Sequence, residues 1–358
     1  MPDARSSMLV ARRLLRWFDR HRRELPWRSR SAARDPYRIW LAEIMLQQTR
    51  VPAVVPYYRR FLRAFPTVEK LARARPDRVL RLWAGLGYYQ RARHLHAAAK
   101  KIVREHGGRF PATLQAALAL PGVGAYTARA VLSIAYRQPV AVVDGNVARA
   151  LARLFRLKAA EVSDRSALQP LADRLVSRQR PGDFNQALME LGSTLCLPRI
   201  PRCPDCPLEK ICLARQAGVE REISFRPRRR PRPRVRLNVL VLRRDGRVLV
   251  VRESRGYFSG LWHFPYTADP RAGKLARTLG ANGMRRLMTL THETTMRDLE
   301  LRVHVADTRQ TKKATASKLR WMRLAQLEKL GVGAATRKIA NAMASEVRGG
   351  IKAEGNVE

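Results

Sequence analysis

The sequence predicts a multidomain protein, an all-α region followed by an α+β region, and three observations carry that reading. Apolar residues recur at helical spacing from Arg34 to Ala119 and again through 140 to 222. Arg226 to Arg234 then contains only Arg and Pro, the composition of an extended, charged linker. Past it the pattern changes: Val235 to Leu242 and Val248 to Val251 flank Arg243-Arg244-Asp245-Gly246-Arg247 as strand, turn and strand. The boundaries this implies are 1–222 for the all-α region, 223–235 for the linker, 236–350 for the second domain and 351–358 for a tail.

The elements follow in order. Met1 to Leu25 is Arg-rich, but Val10, Leu14, Trp17 and Phe18 lie at helical spacing and no secretory core or cleavage signal is visible, so it reads as a first amphipathic helix. Prolines at 52, 56, 66, 76 and 111 divide the next stretch into short, packed helices. Thr113 to Ala119 forms a short helix, Pro121 and Gly122 break it, and Ala125 to Tyr136 restarts one. Helices continue from 140 to a cysteine loop that ends by 222. In the second domain Leu299 to Val305 alternates as a further strand, and a helix near Ala334 to Val347 closes the fold. There is no internal repeat.

Composition bounds the partners. The 358 residues hold 71 Lys plus Arg against 29 Asp plus Glu, a formal charge of +42, which favours a polyanion and nucleic acid ahead of a membrane surface. Arg far outnumbers Lys, so the sign of that charge is more informative than its size. No apolar run reaches the roughly 18 to 20 residues of a membrane span, and a soluble protein with no membrane partner is expected. The four cysteines, Cys196, Cys203, Cys206 and Cys212, fall in one short loop, which points to a metal site in a reducing compartment rather than a disulfide framework.

Four features carry chemistry. In Leu120-Pro121-Gly122-Val123-Gly124 the two glycines allow a tight turn and a close backbone approach, and the N–H groups opening the next helix could hold a phosphate oxygen. Taken alone, the motif is also what an ordinary helix–helix turn looks like. Asp144 follows the apolar run Val140 to Val143 and precedes Gly145-Asn146, where an aspartate is commonly a turn residue or helix cap. Glu43 sits among Ile39, Trp40, Ile44, Met45 and Leu46; facing a pocket, it would be desolvated and kept protonated as a general acid requires. The spacing Cys-x6-Cys-x2-Cys-x5-Cys can wrap one centre. Zinc remains open on spacing alone, and the presence of only one Cys-x-x-Cys pair tilts the choice toward a 4Fe-4S cluster. Arg199, Arg202, Lys210 and Arg215 would make that loop a basic surface for phosphates.

Together these motifs resemble the helix-hairpin-helix base-excision DNA glycosylases related to endonuclease III. Leu25-Pro26-Trp27-Arg28, Trp40 to Thr49, Gly85-Leu86-Gly87-Tyr88-Tyr89 and Gln186 to Gly192 narrow the resemblance to the adenine DNA glycosylase (MutY) family, across roughly residues 25 to 212. It implies an all-α helix-hairpin-helix glycosylase domain with a 4Fe-4S loop, in which about 30–138 form the hairpin subdomain and 1–29 plus 139–222 the cluster-bearing one, followed by an α+β Nudix-like domain. It further implies a monomeric enzyme of base-excision repair, cytoplasmic and nucleoid-associated in a bacterium. Its partner would be duplex DNA holding adenine opposite 8-oxoguanine or guanine.

By that resemblance Glu43 protonates adenine N7 and Asp144 stabilises or traps the oxocarbenium-like sugar, while Tyr126 and Asn146 steady Asp144 and the water. Gly122 and Gly124 hold a DNA phosphate. Arg28 and Glu190 line the adenine pocket, and Gln48 and Tyr88 enter the helix. Relatives that also cut the strand carry a Schiff-base lysine where this chain has Tyr126, and a phenol forms no imine, so a monofunctional enzyme is expected. Gly260 to Pro265 and Trp321 resemble the Nudix-like recognition domain of the same enzymes, without the glutamate-rich metal helix of true Nudix hydrolases. Leu290-Thr291-His292 stands where the family has Phe-Ser-His; Thr291 and His292 keep a hydroxyl and a ring donor for reading 8-oxoguanine. The competing readings are a non-catalytic iron-sulfur DNA-binding protein and a bifunctional glycosylase and lyase.

Overall fold

The computed structural model describes residues 3–157, 165–223, 231–294, 296–309 and 318–349. Most of the expected linker, 224–230, and the tail 351–358 lie outside the described residues. The chain divides into two compact units: residues 1–73 with 93–228, and residues 74–92 with 229–358.

The first unit is helical. Its elements are α1 (Ala4–His21), α2 (Pro36–Leu46), α3 (Val51–Ala64) and α4 (Val68–Ala72). Next come α5 (Pro76–Trp83), which groups with the second unit, and α6 (Tyr89–Glu105), most of which belongs to the first. The remainder are α7 (Leu114–Leu118), α8 (Ala125–Ile134), α9 (Gly145–Leu154), α10 (Gln169–Leu175), α11 (Pro181–Thr194) and α12 (Leu213–Gln216). Asp3 opens α1 by accepting the Ser6 N–H at 2.7 Å. The α1 stripe Val10, Leu14 and Phe18 is buried with Val147 and Leu151 of α9 and Phe184, Leu188 and Leu191 of α11. Each such side chain contributes roughly 1.5–3 kcal/mol. Trp17 lies at the rim of this cluster, because the stripe is only wide enough for one side of the helix.

Among the described residues, the second unit is built on a mixed sheet of seven strands. They are β1 (Arg234–Arg244), β2 (Arg247–Arg252), β3 (Trp262–His263), β4 (Tyr266–Thr267), β5 (Asn282–Glu293), β6 (Asp298–Asp307) and β7 (Lys318–Met322). The order is β3-β2-β1-β6-β5, with β4 pairing β1 and β7 pairing β2. The turn at Asp245-Gly246 has φ of 49° and 67°, the left-handed pair that matches the twist of a two-residue hairpin. Alternation along β1 sends Leu237, Val239 and Val241 to one face, where α14 (Ala334–Gly349) packs through Ile339 and Met343. Leu240 and Leu242 face the other side, covered by α13 (Ala272–Thr278) through Ala276 and by Leu279. α13 contains Lys274 and Arg277 and no acidic residue.

Candidate active site and cysteine loop

Glu43 is positioned by a helix buried on nearly every side. Asp35 caps α2 by accepting the Tyr37 and Arg38 N–H groups at 2.9 and 3.3 Å, Pro36 fits its first position, and eight of its eleven residues are buried. Glu43 is 5% exposed and its Oε2 has no hydrogen-bond partner. Loss of water pushes its carboxyl up to about 7, opposed by the Tyr126 hydroxyl, reinforced by the charge of Asp144 and opposed by Arg28. Glu43, Tyr126 and Asp144 are thus close enough to feel one another electrostatically. Burial first, then the two carboxyls, raises the Tyr126 phenol well above the ordinary tyrosine range, so it stays an intact O–H; it donates to Met189 Sδ at 3.1 Å.

Asp144 is the N-cap of α9. Its carboxylate accepts the N–H of Asn146 at 2.9 Å, the N–H of Val147 at 2.7 Å and Asn146 Nδ2 at 3.2 Å. The extended residues before it are tied down too: Asn185 Oδ1 accepts the Val142 N–H at 3.1 Å, and Asp173 accepts the Ala141 N–H at 2.9 Å. α11 comes close, since a Cβ on Gly192 would lie 2.7 Å from Asn146 Cβ. The capping role and the chemical role expected of Asp144 are therefore compatible, because capping fixes the carboxylate that projects from the helix start.

The hairpin is α7, its turn and α8. Gly122 has φ +74°, and a Cβ there would stand 2.6 Å from His94 Cβ, so both backbone and space demand glycine. Gly124 differs: its φ of −91° suits any residue, and a Cβ would meet nothing within 4 Å. Nor does a side chain cap α8, which leaves its first N–H groups open in front of Gly124.

Other expected residues divide. Arg28 and Glu190 are together, but as partners: Arg28 Nη2 donates to Glu190 Oε2 at 2.9 Å and its Nε to Gln186 Oε1 at 2.9 Å, while Arg23, unnoticed in the sequence, grips Glu190 through Nη2 at 2.9 Å. Gln48 and Tyr88 are both exposed and both left-handed, with φ of 57° and 49°, a conformation that bulky residues rarely adopt. The Arg91 guanidinium lies 5.2 Å from the Tyr88 ring centre. In the second unit Thr291 and His292 end the edge strand β5, opposite Glu300 and Leu299 of β6. Thr291 is exposed, and burial together with Lys338 holds the His292 ring below the usual histidine range, favouring its neutral form.

The four cysteines line one pocket with Arg153, Leu195 and Glu220, and none forms a disulfide. Among the described residues no three His, Cys, Asp or Glu side chains converge as they would around a single ion. Two buried arginines of α9 brace this loop. Arg149 donates to the carbonyl oxygens of Cys196 at 2.7 Å and Gly192 at 2.5 Å and to Asn146 Oδ1 at 2.9 Å. Arg153 donates to the Leu197 and Pro198 oxygens at 2.7 and 3.0 Å and approaches Cys196 Sγ at 3.4 Å. Sequence reading missed both, since in so Arg-rich a chain a helical arginine reads as surface. Their spacing of four on the helix that begins at Asp144 was the available signal. The loop's own basic residues are partly neutralised: Arg202 pairs with Asp205, and Arg215 with Glu209 and Glu220.

A buried acid thus lies close to a helix-capping aspartate, beside the open-ended helix of a hairpin. Residues 41–172 match the HhH-GPD superfamily of base excision DNA repair proteins, and residues 238–342 match the NUDIX domain. The adenine DNA glycosylase of Mycobacterium tuberculosis is 43% identical over 208 residues, 57% of this chain and 67% of that protein. The human adenine DNA glycosylase is 48% identical over 217 residues, 58% of this chain. The chain belongs to the adenine DNA glycosylase family. It spans 40% of the human relative's length and 43% of the rat one's. A thermostable thymine-DNA glycosylase superposes with a TM-score of 0.54 at 31% identity, covering 59% of this chain and 97% of that one. Endonuclease III trapped covalently on DNA gives 0.52 at 20% identity over 61% of this chain and 99% of its own, a likeness of fold.

Proposed function

We propose that the chain is a monofunctional adenine DNA glycosylase that hydrolyses the N-glycosidic bond of adenine paired with 8-oxoguanine or guanine in duplex DNA, as a monomer acting on chromosomal DNA in the cytoplasm. The observation that carries the proposal is Glu43, a carboxyl buried beside Asp144 and raised to about 7. The target base leaves the stack, because its reactive atoms are inaccessible inside a duplex. Glu43 donates its proton to adenine N7, the base departs with the electron pair of the glycosidic bond, and positive charge develops on the sugar. Asp144, held by its three N–H donors, stabilises that cation or bonds to it, and water completes the hydrolysis while Tyr126 and Asn146 keep the carboxylate in place.

Arg28 and Glu190 form a pre-set donor and acceptor pair at the adenine edge. Gln48 and Tyr88 occupy the gap left by the flipped base, their left-handed backbones being strain of the kind found at functional positions. Gly122 and Gly124 admit a phosphate to the α8 terminus, and Thr291 and His292 read the oxidised guanine. Cys196, Cys203, Cys206 and Cys212 would hold a 4Fe-4S cluster: four thiols line one pocket, and soft sulfur ligands suit such a centre. The four thiolates, ligated together, would tie down the loop that α9 braces.

Release of adenine from a duplex with one 8-oxoguanine:adenine pair tests the proposal. Turnover by iron-loaded protein is expected. Release of no base, or of thymine from a mismatch instead, would overturn it.

A further inference from the structure

On the first unit lies a cavity of about 440 Å³, within the range of small-molecule sites. Its wall includes Arg22, Arg28, Arg30, Arg34, Arg137 and Arg180. Clusters of positive charge repel one another unless acids are interleaved, and here the interleaving is nearly missing. Asp183, the one acid of that wall among the described residues, is taken by Arg180 at 2.8 Å, and Arg180 is shared with Asp19. Arg28 is matched to Glu190. Arg30, Arg34 and Arg137 make no ion pair among the described residues, while Arg22 shares the charge of Asp19 with Arg180, so three guanidinium groups border one concavity without an acid of their own.

Two further donors point the same way. Gln186 is 9% exposed and lines the cavity; its Oε1 accepts from Arg28, and its Nε2 makes no hydrogen bond among the described residues. The first turn of α11, at Pro181, Gly182 and Asp183, also lines the cavity and has no side-chain cap; Pro181 carries no N–H, so the open donors there are the Gly182 and Asp183 N–H groups, with Asp183 offsetting part of the helix dipole. The site stands at the far end of α8 from the hairpin, on Ser133, Ile134 and Arg137, and so is separate from the hairpin's phosphate grip.

We infer that this cavity binds a small multivalent phosphate anion, a pyrophosphate or the phosphate chain of a nucleotide. Planar guanidinium forks match phosphate oxygens bidentately, and three unneutralised ones call for several negative charges in a small volume. A concavity of this size admits a phosphate chain and does not follow a duplex. Arg28 belongs both to this wall and to the Glu190 pair, so the cavity adjoins the residues proposed to hold adenine.

Calorimetric titration of the full-length, iron-loaded protein at fixed ionic strength, with pyrophosphate in one series and ATP in another, tests this. Saturable binding is expected, weakened about tenfold or more in the Arg34→Gln/Arg137→Gln variant and changed less than about twofold in the charge-matched Arg12→Gln/Arg59→Gln variant. Pyrophosphate binding equal to that of ATP assigns the ligand to the free anion, and much tighter ATP binding assigns it to a nucleotide. Arg34 and Arg137 are exposed and unpaired, so the thermal midpoint without ligand should match the wild type. Absence of saturable binding, equal weakening in both variants, or loss of duplex affinity in the cavity variant with no anion binding would overturn the inference.

Discussion

Glu43 is a carboxyl with almost no water around it, and as the proposed general acid its protonation would set the pH dependence of base release. Its pKa is raised to about 7, so the acid form dominates below that value and is lost above it. Single-turnover base release should be flat on the acid side and fall about tenfold per pH unit above 7, and Glu43→Gln should lower it by about 10²- to 10⁴-fold and remove that limb. A limb unchanged in the variant would contradict the assignment. Asp144→Asn separates chemistry from folding, because asparagine caps helices as well as aspartate. Duplex binding and the thermal midpoint should persist while base release is lost; wild-type turnover would refute the role of Asp144. At this scale the sequence was readable where a residue's chemistry is unusual for its neighbours, as with Glu43 in an apolar run. It was unreadable where an arginine serves one specific acceptor: the exposed Arg23 and the buried Arg149 and Arg153 look like dozens of others in the chain, and only their acceptors distinguish them.

The hairpin makes its prediction as an element. Gly122→Ala forces a side chain into a left-handed backbone against His94 and should cost about 1–3 kcal/mol of stability, read by chemical denaturation. Gly124→Ala meets nothing in the protein, so stability should stay within about 0.5 kcal/mol while duplex affinity falls, because the added methyl stands where a phosphate would approach. Equal stability losses in the two variants would contradict the distinction. Helix limits were legible because Thr113, Pro121 and Gly122 punctuate the pattern, and α7 and α8 fall within the stretches their periodicity marked. The strand β5 was not: Arg285, Arg286 and Thr289 interrupt its alternation, and two register shifts against β6 break the period that would reveal it. The left-handed turns at Gln48 and Tyr88 were equally hidden, since neither residue type signals a positive φ.

For the whole molecule, the Arg and Pro run marked the passage from helix to sheet, and the cysteine spacing marked the loop that α9 braces. Iron analysis should give about four irons per chain with a visible sulfide-to-iron band, and stoichiometric zinc would contradict the cluster. Replacing any one of the four cysteines with alanine should lower that content. What spacing could not supply is the link from the loop to the active site: Arg149 joins the Cys196 carbonyl to Asn146, which in turn donates to Asp144, a path created only when α9 and α11 pack. The central claim is base removal by Glu43 and Asp144 without strand cleavage by an amine, since Tyr126 has none to offer. Its most direct test is a borohydride-quenched single turnover on a duplex with one 8-oxoguanine:adenine pair, following free adenine and the adenine-bearing strand together. The expected result is stoichiometric adenine, an intact abasic strand and no trapped adduct; no adenine, or efficient trapping through a lysine, would contradict it.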